Sequence, residues 1–162
     1  KKKLISIFSI LKENQLTHIS YLNFKKVLNS YQTIYLQNNE QVIYANNTFI
    51  YLLNAYDKTK RKELLTYAME LNSWIESTND KQIPEDFKTI NSLQLKKRRT
   101  ILSNDDRLKL IKITQSDSTS LESKFAAYLL LDNLELAKFT FSKLDLETQE
   151  QYSKLPIYTF MK

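Results

Sequence analysis

The feature that most constrains this chain is the absence of glycine from its 162 residues. An ordinary chain of this length carries roughly eleven glycines, at about 7% of residues. Phosphate-binding loops, dinucleotide fingerprints, nucleophile elbows and EF-hand loops all use glycine where the backbone takes a positive φ or approaches a ligand. These sites are therefore disfavoured together, and asparagine must replace glycine at tight turns and helix ends.

Residue types that carry much of enzyme chemistry are also scarce. The chain has no cysteine and one histidine, so disulfides, thiolate metal sites and multi-histidine sites are excluded. The histidine, His18, stands at a predicted helix start and is expected to be exposed. The acidic pairs 85–86 and 105–106 could bind a divalent metal together with a third carboxylate. Each pair stands at a predicted helix N-terminus, however, where the helix dipole alone favours acidic residues. We therefore expect no catalytic residue, no metal and no cofactor.

The overall composition is that of a folded chain without a membrane span. Hydrophobic residues make up 42% and charged residues 26%, which argues against disorder. No apolar run approaches the roughly 18 residues of a membrane-spanning helix, so we expect a cytoplasmic protein with no membrane partner. Because the chain opens with Lys1 rather than methionine, we expect a fragment or accessory domain of a longer protein. Its oligomeric state stays open.

Apolar residues recur every three or four positions along most of the chain, which predicts an all-α domain of about eight helices. Expected N-caps are Thr17, Asp57, Ser103 and Thr119. A further break is expected at residues 46–48, where an asparagine or threonine can cap a short helix that follows. The predicted helices run over about 4–11, 17–35, 48–56, 58–76, 84–96, 103–113, 121–131, 134–144 and 146–155.

Two stretches leave alternatives open. Residues 33–44 suit a small hairpin or a loop between helices, and we favour the loop because both neighbours are helical. Residues 77–82 are polar throughout and are followed by Ile83 and Pro84. We therefore expect one helical domain over residues 1–162, with a division into two subdomains near 77–83 as the alternative.

One segment resembles part of a tetratricopeptide repeat. Tyr128 stands where that family has a first-helix aromatic, residues 132–133 form the turn, and Ala137 is followed four positions later by Phe141. The turn glycine and closing proline of the family are missing here, and no 34-residue period runs through the chain. The resemblance implies a helical-hairpin array that binds peptides or protein segments on a concave face.

The densest positive charge lies between residues 95 and 112, with seven basic and two acidic residues. Cations in such a run neutralise phosphates and give salt-sensitive binding to nucleic acid without sequence preference. The alternative is a solvated helix end near Lys96, where cations suit the negative end of the helix dipole. The candidate polyanion contacts are Lys96, Lys97, Arg98, Arg99, Arg107, Lys109 and Lys112.

Aromatic residues make up 12% of the chain, mostly at helical spacing with leucine and isoleucine, which is typical of core packing. Exposed tyrosines would instead supply contact area to a partner. The candidate partner contacts are Tyr31, Tyr35, Tyr44 and Tyr51. The sequence therefore favours a non-enzymatic helical domain that binds a protein or peptide. The alternative is a nucleic-acid-binding domain that uses the basic segment 96–112.

Overall fold

Every regular element that the structure describes is helical. The computed structural model describes residues 15–162, and the predicted helix at 4–11 lies outside them. The all-α prediction with about eight helices is confirmed. The α-helices are α1 Tyr21–Tyr35, α2 Gln41–Thr59, α3 Glu63–Ser77, α4 Glu85–Arg99, α5 Asn104–Gln115, α6 Leu121–Leu130, α7 Leu134–Ser142 and α8 Leu146–Ser153, with 3-10 helices at Gln15–His18 and Pro156–Met161. None of the helices within residues 15–162 is long and apolar enough to cross a bilayer.

The described residues fold as two compact units, unit 1 ending at Ile83 and unit 2 beginning at Pro84. In unit 1, α2 packs against both α1 and α3, and the first 3-10 helix also lies on α2. Each helix buries one apolar stripe, which is the expected result of its three-and-four spacing. Phe24 of α1 stacks on Tyr67 of α3 with ring centroids 4.8 Å apart. The fully buried side chains of this core include Phe24, Tyr31, Phe49, Leu52, Leu53, Leu64, Leu71 and Ile75.

The helix boundaries of unit 1 differ from the prediction at the start of α1 and within α2, whereas the favoured loop between these helices is present. The helix expected from Thr17 begins at Tyr21, because Ser20 is the N-cap and its Oγ accepts from the Asn23 N–H at 3.2 Å. Residues 36–40 form a loop, so the hairpin alternative is wrong. The break expected at residues 46–48 is also wrong, since α2 continues through them.

The hydroxyl of Thr48 explains why α2 is not broken there. Its Oγ1 donates back to the Tyr44 carbonyl at 3.1 Å and lies 2.6 Å from the Tyr31 hydroxyl of α1. A threonine bonded in this way is a helix-interior residue rather than a cap. Asp57 is likewise inside α2, and the helix stops at Lys60, which takes the left-handed conformation with φ 57°.

Arg61 joins the connection between α2 and α3 to the first 3-10 helix. Its Nη1 donates to the Thr17 carbonyl at 3.0 Å and its Nη2 to the Ile19 carbonyl at 2.6 Å. The guanidinium also lies 6.0 Å from the ring centroid of Tyr67. Arginine suits this role because its planar group presents several donors in a fixed geometry.

Unit 2 is built around α6, which packs against α4, α5, α7 and the C-terminal 3-10 helix. Its Phe125, Leu129 and Leu130 are fully buried. The predicted capping box at the start of α5 is confirmed: Ser103 Oγ accepts from the Asp106 N–H, and Asp106 Oδ2 accepts from the Ser103 N–H. These reciprocal bonds satisfy two N–H groups that the helix itself leaves unpaired.

Two boundaries of unit 2 also need correction. The N-cap of α6 is Ser120, because the Thr119 hydroxyl donates instead to the Ile113 and Ser116 carbonyls. The helix α4 runs to Arg99 rather than ending near Lys96.

The hairpin of α6 and α7 turns at Asp132, which has φ 61°, and Asn133 caps α7 through the Leu136 N–H at 3.2 Å.

Candidate interaction surfaces

Lys96, the first residue of the basic segment, is half-buried and forms an ion pair within unit 2. Its Nζ lies 2.6 Å from Oδ2 of Asp106, a residue that is only 5% exposed. The hydrogen bond from Lys96, with those from Ser103, lowers the pKa of Asp106 to about 2 against the opposing effect of burial. Lys96 therefore joins the last turn of α4 to the capping box of α5.

The next two cations point into the same unit. Lys97 Nζ donates to the Leu130 carbonyl at 3.0 Å and lies 2.8 Å from Oδ1 of Asp132. Arg98 donates to the Pro156 carbonyl at 2.9 Å, and its guanidinium lies 4.8 Å from the ring centroid of Phe160. These contacts explain why α4 continues past Lys96, since the long side chains cover apolar surface while their charged ends reach acceptors.

The basic segment is therefore not one free cationic surface. Arg107 also turns inward, and its Nη2 donates to the Leu131 carbonyl at 3.3 Å. Four of the seven candidate polyanion contacts are thus used within unit 2, and this part of the prediction is corrected. Arg99, Lys109 and Lys112 are exposed and form no ion pair with any described residue. The cationic surface that remains is smaller than the sequence suggests.

The four candidate tyrosines fall into two groups. Tyr31 is 1% exposed, bonds to Thr48, and burial raises the pKa of its hydroxyl to about 12. As a residue of the unit 1 core it is not a partner contact, which corrects the expectation. Tyr35 is half-buried and donates to Oδ2 of Asp80 at 2.9 Å, and this bond raises its pKa.

The other two tyrosines, Tyr44 and Tyr51, lie on the solvent side of α2. Tyr44 is half-buried and Tyr51 is 40% exposed. Between and beyond them lie exposed Asn47, half-buried Asn54 and exposed Lys58. We call this set the outer face of α2.

The spacing of the outer face of α2 places its members in one line. Its residues follow one another at intervals of three, four, three and four positions. In an α-helix this spacing gives a single stripe. The opposite side of the same helix is core, with Ala45, Phe49 and Leu52 fully buried.

The three-and-four spacing of this stripe is present in the sequence. The predicted break at residues 46–48 divided it between two helices, so it was not recognised as one face. Once α2 is one helix over Gln41–Thr59, Asn47, Asn54 and Lys58 fall on the line that Tyr44 and Tyr51 define. The functional candidates that the sequence analysis missed are therefore these three polar residues.

The acidic pairs take part in contacts within unit 2. Asp86 accepts from the Ser123 hydroxyl, Glu85 lies 3.3 Å from Lys88, and Asp106 belongs to the capping box. Within residues 15–162, no group of three or more histidine or acidic side chains is arranged to hold a metal ion.

Residues 15–162 form an all-α fold whose candidate interaction surfaces are the outer face of α2 and the exposed cations Arg99, Lys109 and Lys112. The chain matches no protein-family model, no curated protein and no solved structure. In the hairpin of α6 and α7, Ala137 is fully buried and the Phe125 and Phe141 rings lie 5.0 Å apart. Its relation to tetratricopeptide repeats stays a prediction.

Proposed function

We infer that this chain is a non-enzymatic helical protein that binds another protein or a peptide through the outer face of α2. The observation that carries the inference is the stripe from Tyr44 to Lys58, which lies along the solvent side of a helix whose other side is core. With no cysteine in the chain, the domain needs no oxidising compartment, and we propose that it acts in the cytoplasm.

The residue types of this stripe suit contact with a polypeptide. Tyrosine offers a large, rigid and amphipathic contact area at low cost in conformational entropy. The asparagine amide carries both donors and an acceptor, so the exposed Asn47 can pair with the N–H and C=O groups of a bound chain. A stripe that alternates these two types supplies apolar contact and hydrogen bonding at each turn of the helix.

Selection from a random-peptide display library on dilute protein tests this function. Affinities of the selected peptides are then measured by fluorescence anisotropy for the wild type, Tyr51→Ala and Asn47→Ala. We expect Tyr51→Ala to weaken binding by about tenfold or more, as at a central interface residue.

The matched control for this selection is Asn29→Ala, which removes an exposed asparagine from α1. We expect this variant to bind like the wild type. An outcome in which no peptide is selected, or in which the α2 variants bind as well as the control, contradicts the proposed function.

Nucleic-acid binding is a second candidate, and the free cations Arg99, Lys109 and Lys112 favour it. Three neutralised phosphates predict a slope of about −2.7 for log affinity against log salt on duplex DNA, or roughly a 40-fold loss between about 50 and 200 mM salt. Seven neutralised phosphates would predict roughly a several-thousand-fold loss of affinity over the same range of salt. The slope therefore measures how many cations of the segment take part.

Fluorescence anisotropy with mixed-sequence RNA and duplex DNA measures this slope. The informative variant replaces Arg99, Lys109 and Lys112 with alanine, because the other four cations of the segment hold unit 2 together. Loss of binding in this variant supports the second candidate, and absence of wild-type binding at the lower salt removes it.

A further inference from the structure

We propose that the partner of the outer face of α2 is a second copy of this chain, bound with its α2 antiparallel to the first. This inference rests on the proposed function and names its partner. The outer face of α2 continues at its N-terminal end to Glu40, the residue before the helix, four positions ahead of Tyr44. Glu40 and Lys58 are both exposed and form no ion pair with any described residue.

The stripe is self-complementary about its midpoint. Glu40 and Lys58 lie nine positions before and after Phe49, Tyr44 and Asn54 lie five positions away, and Asn47 and Tyr51 lie two. A two-fold axis at this midpoint therefore places each residue opposite its symmetric counterpart on the second copy. Glutamate then faces lysine, and tyrosine faces asparagine. In an isologous interface residue i contacts residue j and j contacts i, which is the arrangement that this spacing supplies.

Charge decides between the two directions in which two such helices could pack. In the antiparallel direction, Glu40 faces Lys58 of the second copy at both ends of the stripe. In the parallel direction, glutamate would face glutamate and lysine would face lysine, which repels at both ends. The antiparallel direction also opposes the two helix dipoles. The central layers then pair tyrosine with asparagine, so each amide lies beside an aromatic ring of the second copy.

The size of the surface predicts a weak dimer. The stripe from Glu40 to Lys58 is about 27 Å long at 1.5 Å per residue, and one helix face buries less area than the roughly 1,200 Å² of a standard interface. We therefore expect dissociation constants in the micromolar range and a monomer in dilute solution.

Sedimentation equilibrium of the chain over about 10 to 500 μM tests the inference. Glu40→Lys and Lys58→Glu each convert both terminal ion pairs into repulsions, so each variant should weaken the dimer by about tenfold. The double variant exchanges the two charges and restores both pairs. Equimolar Glu40→Lys and Lys58→Glu chains should also associate with each other more strongly than either associates with itself.

The matched control is Lys26→Glu, which reverses an exposed charge on α1 and should dimerise like the wild type. A wild type that stays monomeric throughout, or a dimer that neither charge reversal weakens, overturns the inference. The two proposals fail separately. If the chain is monomeric but selected peptides still require Tyr51, the function stands and only the second copy is wrong. If neither occurs, both fail.

Discussion

Replacing Asp106 by asparagine should remove a charge that stabilises unit 2. Its carboxylate is 5% exposed, lies 2.6 Å from Lys96 Nζ and accepts from the Ser103 N–H. Asparagine keeps the size of the side chain and an acceptor oxygen, so the variant mainly tests the charge. The pKa of Asp106 falls from 3.8 to about 2 on folding, which corresponds to about 2 kcal/mol at neutral pH. Because the Lys96 side chain is 42% exposed, solvent screening reduces this stabilisation. We therefore expect Asp106→Asn to lower the free energy of unfolding by about 1 to 2 kcal/mol.

The sign of the pH dependence follows from the direction of the shift. A carboxyl whose pKa is lower in the folded state stabilises the fold when it is ionised. Its contribution is fully present above the unfolded pKa and is lost as the pH falls towards the folded pKa. The difference in unfolding free energy between the wild type and Asp106→Asn should therefore be largest above about pH 5. It should fall by roughly half at about pH 3.

Urea unfolding followed by far-UV circular dichroism, at several pH values, measures this difference. Asp105→Asn is the matched control, because Asp105 is the exposed neighbour in the same helical turn. We expect the control to change stability by less than about 0.5 kcal/mol. A difference for Asp106→Asn that does not change with pH would show that the ion pair with Lys96 does not stabilise the fold.

Three further substitutions test other contacts by urea unfolding. Arg98→Ala should destabilise unit 2 by about 2 kcal/mol, since it removes charged hydrogen bonds and an aromatic contact. The control, exposed Arg99→Ala, should destabilise it by less than about 0.5 kcal/mol. Equal effects of the two substitutions would contradict the contacts described for Arg98. Arg61→Ala should destabilise unit 1 by about 2 kcal/mol, because the Thr17 and Ile19 carbonyls lose the hydrogen bonds that Arg61 donates. Exposed Lys62→Ala is its control. Lys60→Gly should stabilise unit 1 by about 0.5 to 1 kcal/mol, because glycine takes positive φ without a steric cost, and a loss of stability would contradict this reasoning.

Features that depend on neighbours in sequence could be predicted, and those that depend on distant partners could not. The capping box of Ser103 and Asp106 follows from three-residue spacing alone, as does the all-α class from apolar periodicity. The continuity of α2 could not be predicted, because the Thr48 hydroxyl meets Tyr31 from another helix. The contacts of the basic segment within unit 2 could not be predicted for the same reason, since Lys97 finds its carbonyl acceptor 33 positions away.

The candidate partner contacts include one tyrosine in the core and one on the surface, which the sequence pattern does not distinguish. Tyr31 and Tyr51 both stand at helical positions among apolar residues, so periodicity alone does not separate core from surface. Tyr31 is buried because α1 faces α2, whereas Tyr51 is exposed because it lies on the side of α2 away from its core. That distinction requires the packing of the helices, which no local pattern contains.

The left-handed turns of this glycine-free chain bear on how its sequence can change. Lys60 and Asn79 occupy positive-φ positions with φ 57° and 49°, and neither belongs to the outer face of α2. Natural proteins tolerate damaging mutations only while stability stays above a threshold. A replacement by glycine at either turn would therefore raise that margin without touching the proposed interface. The stability gained at these turns would compensate for destabilising substitutions on the outer face of α2.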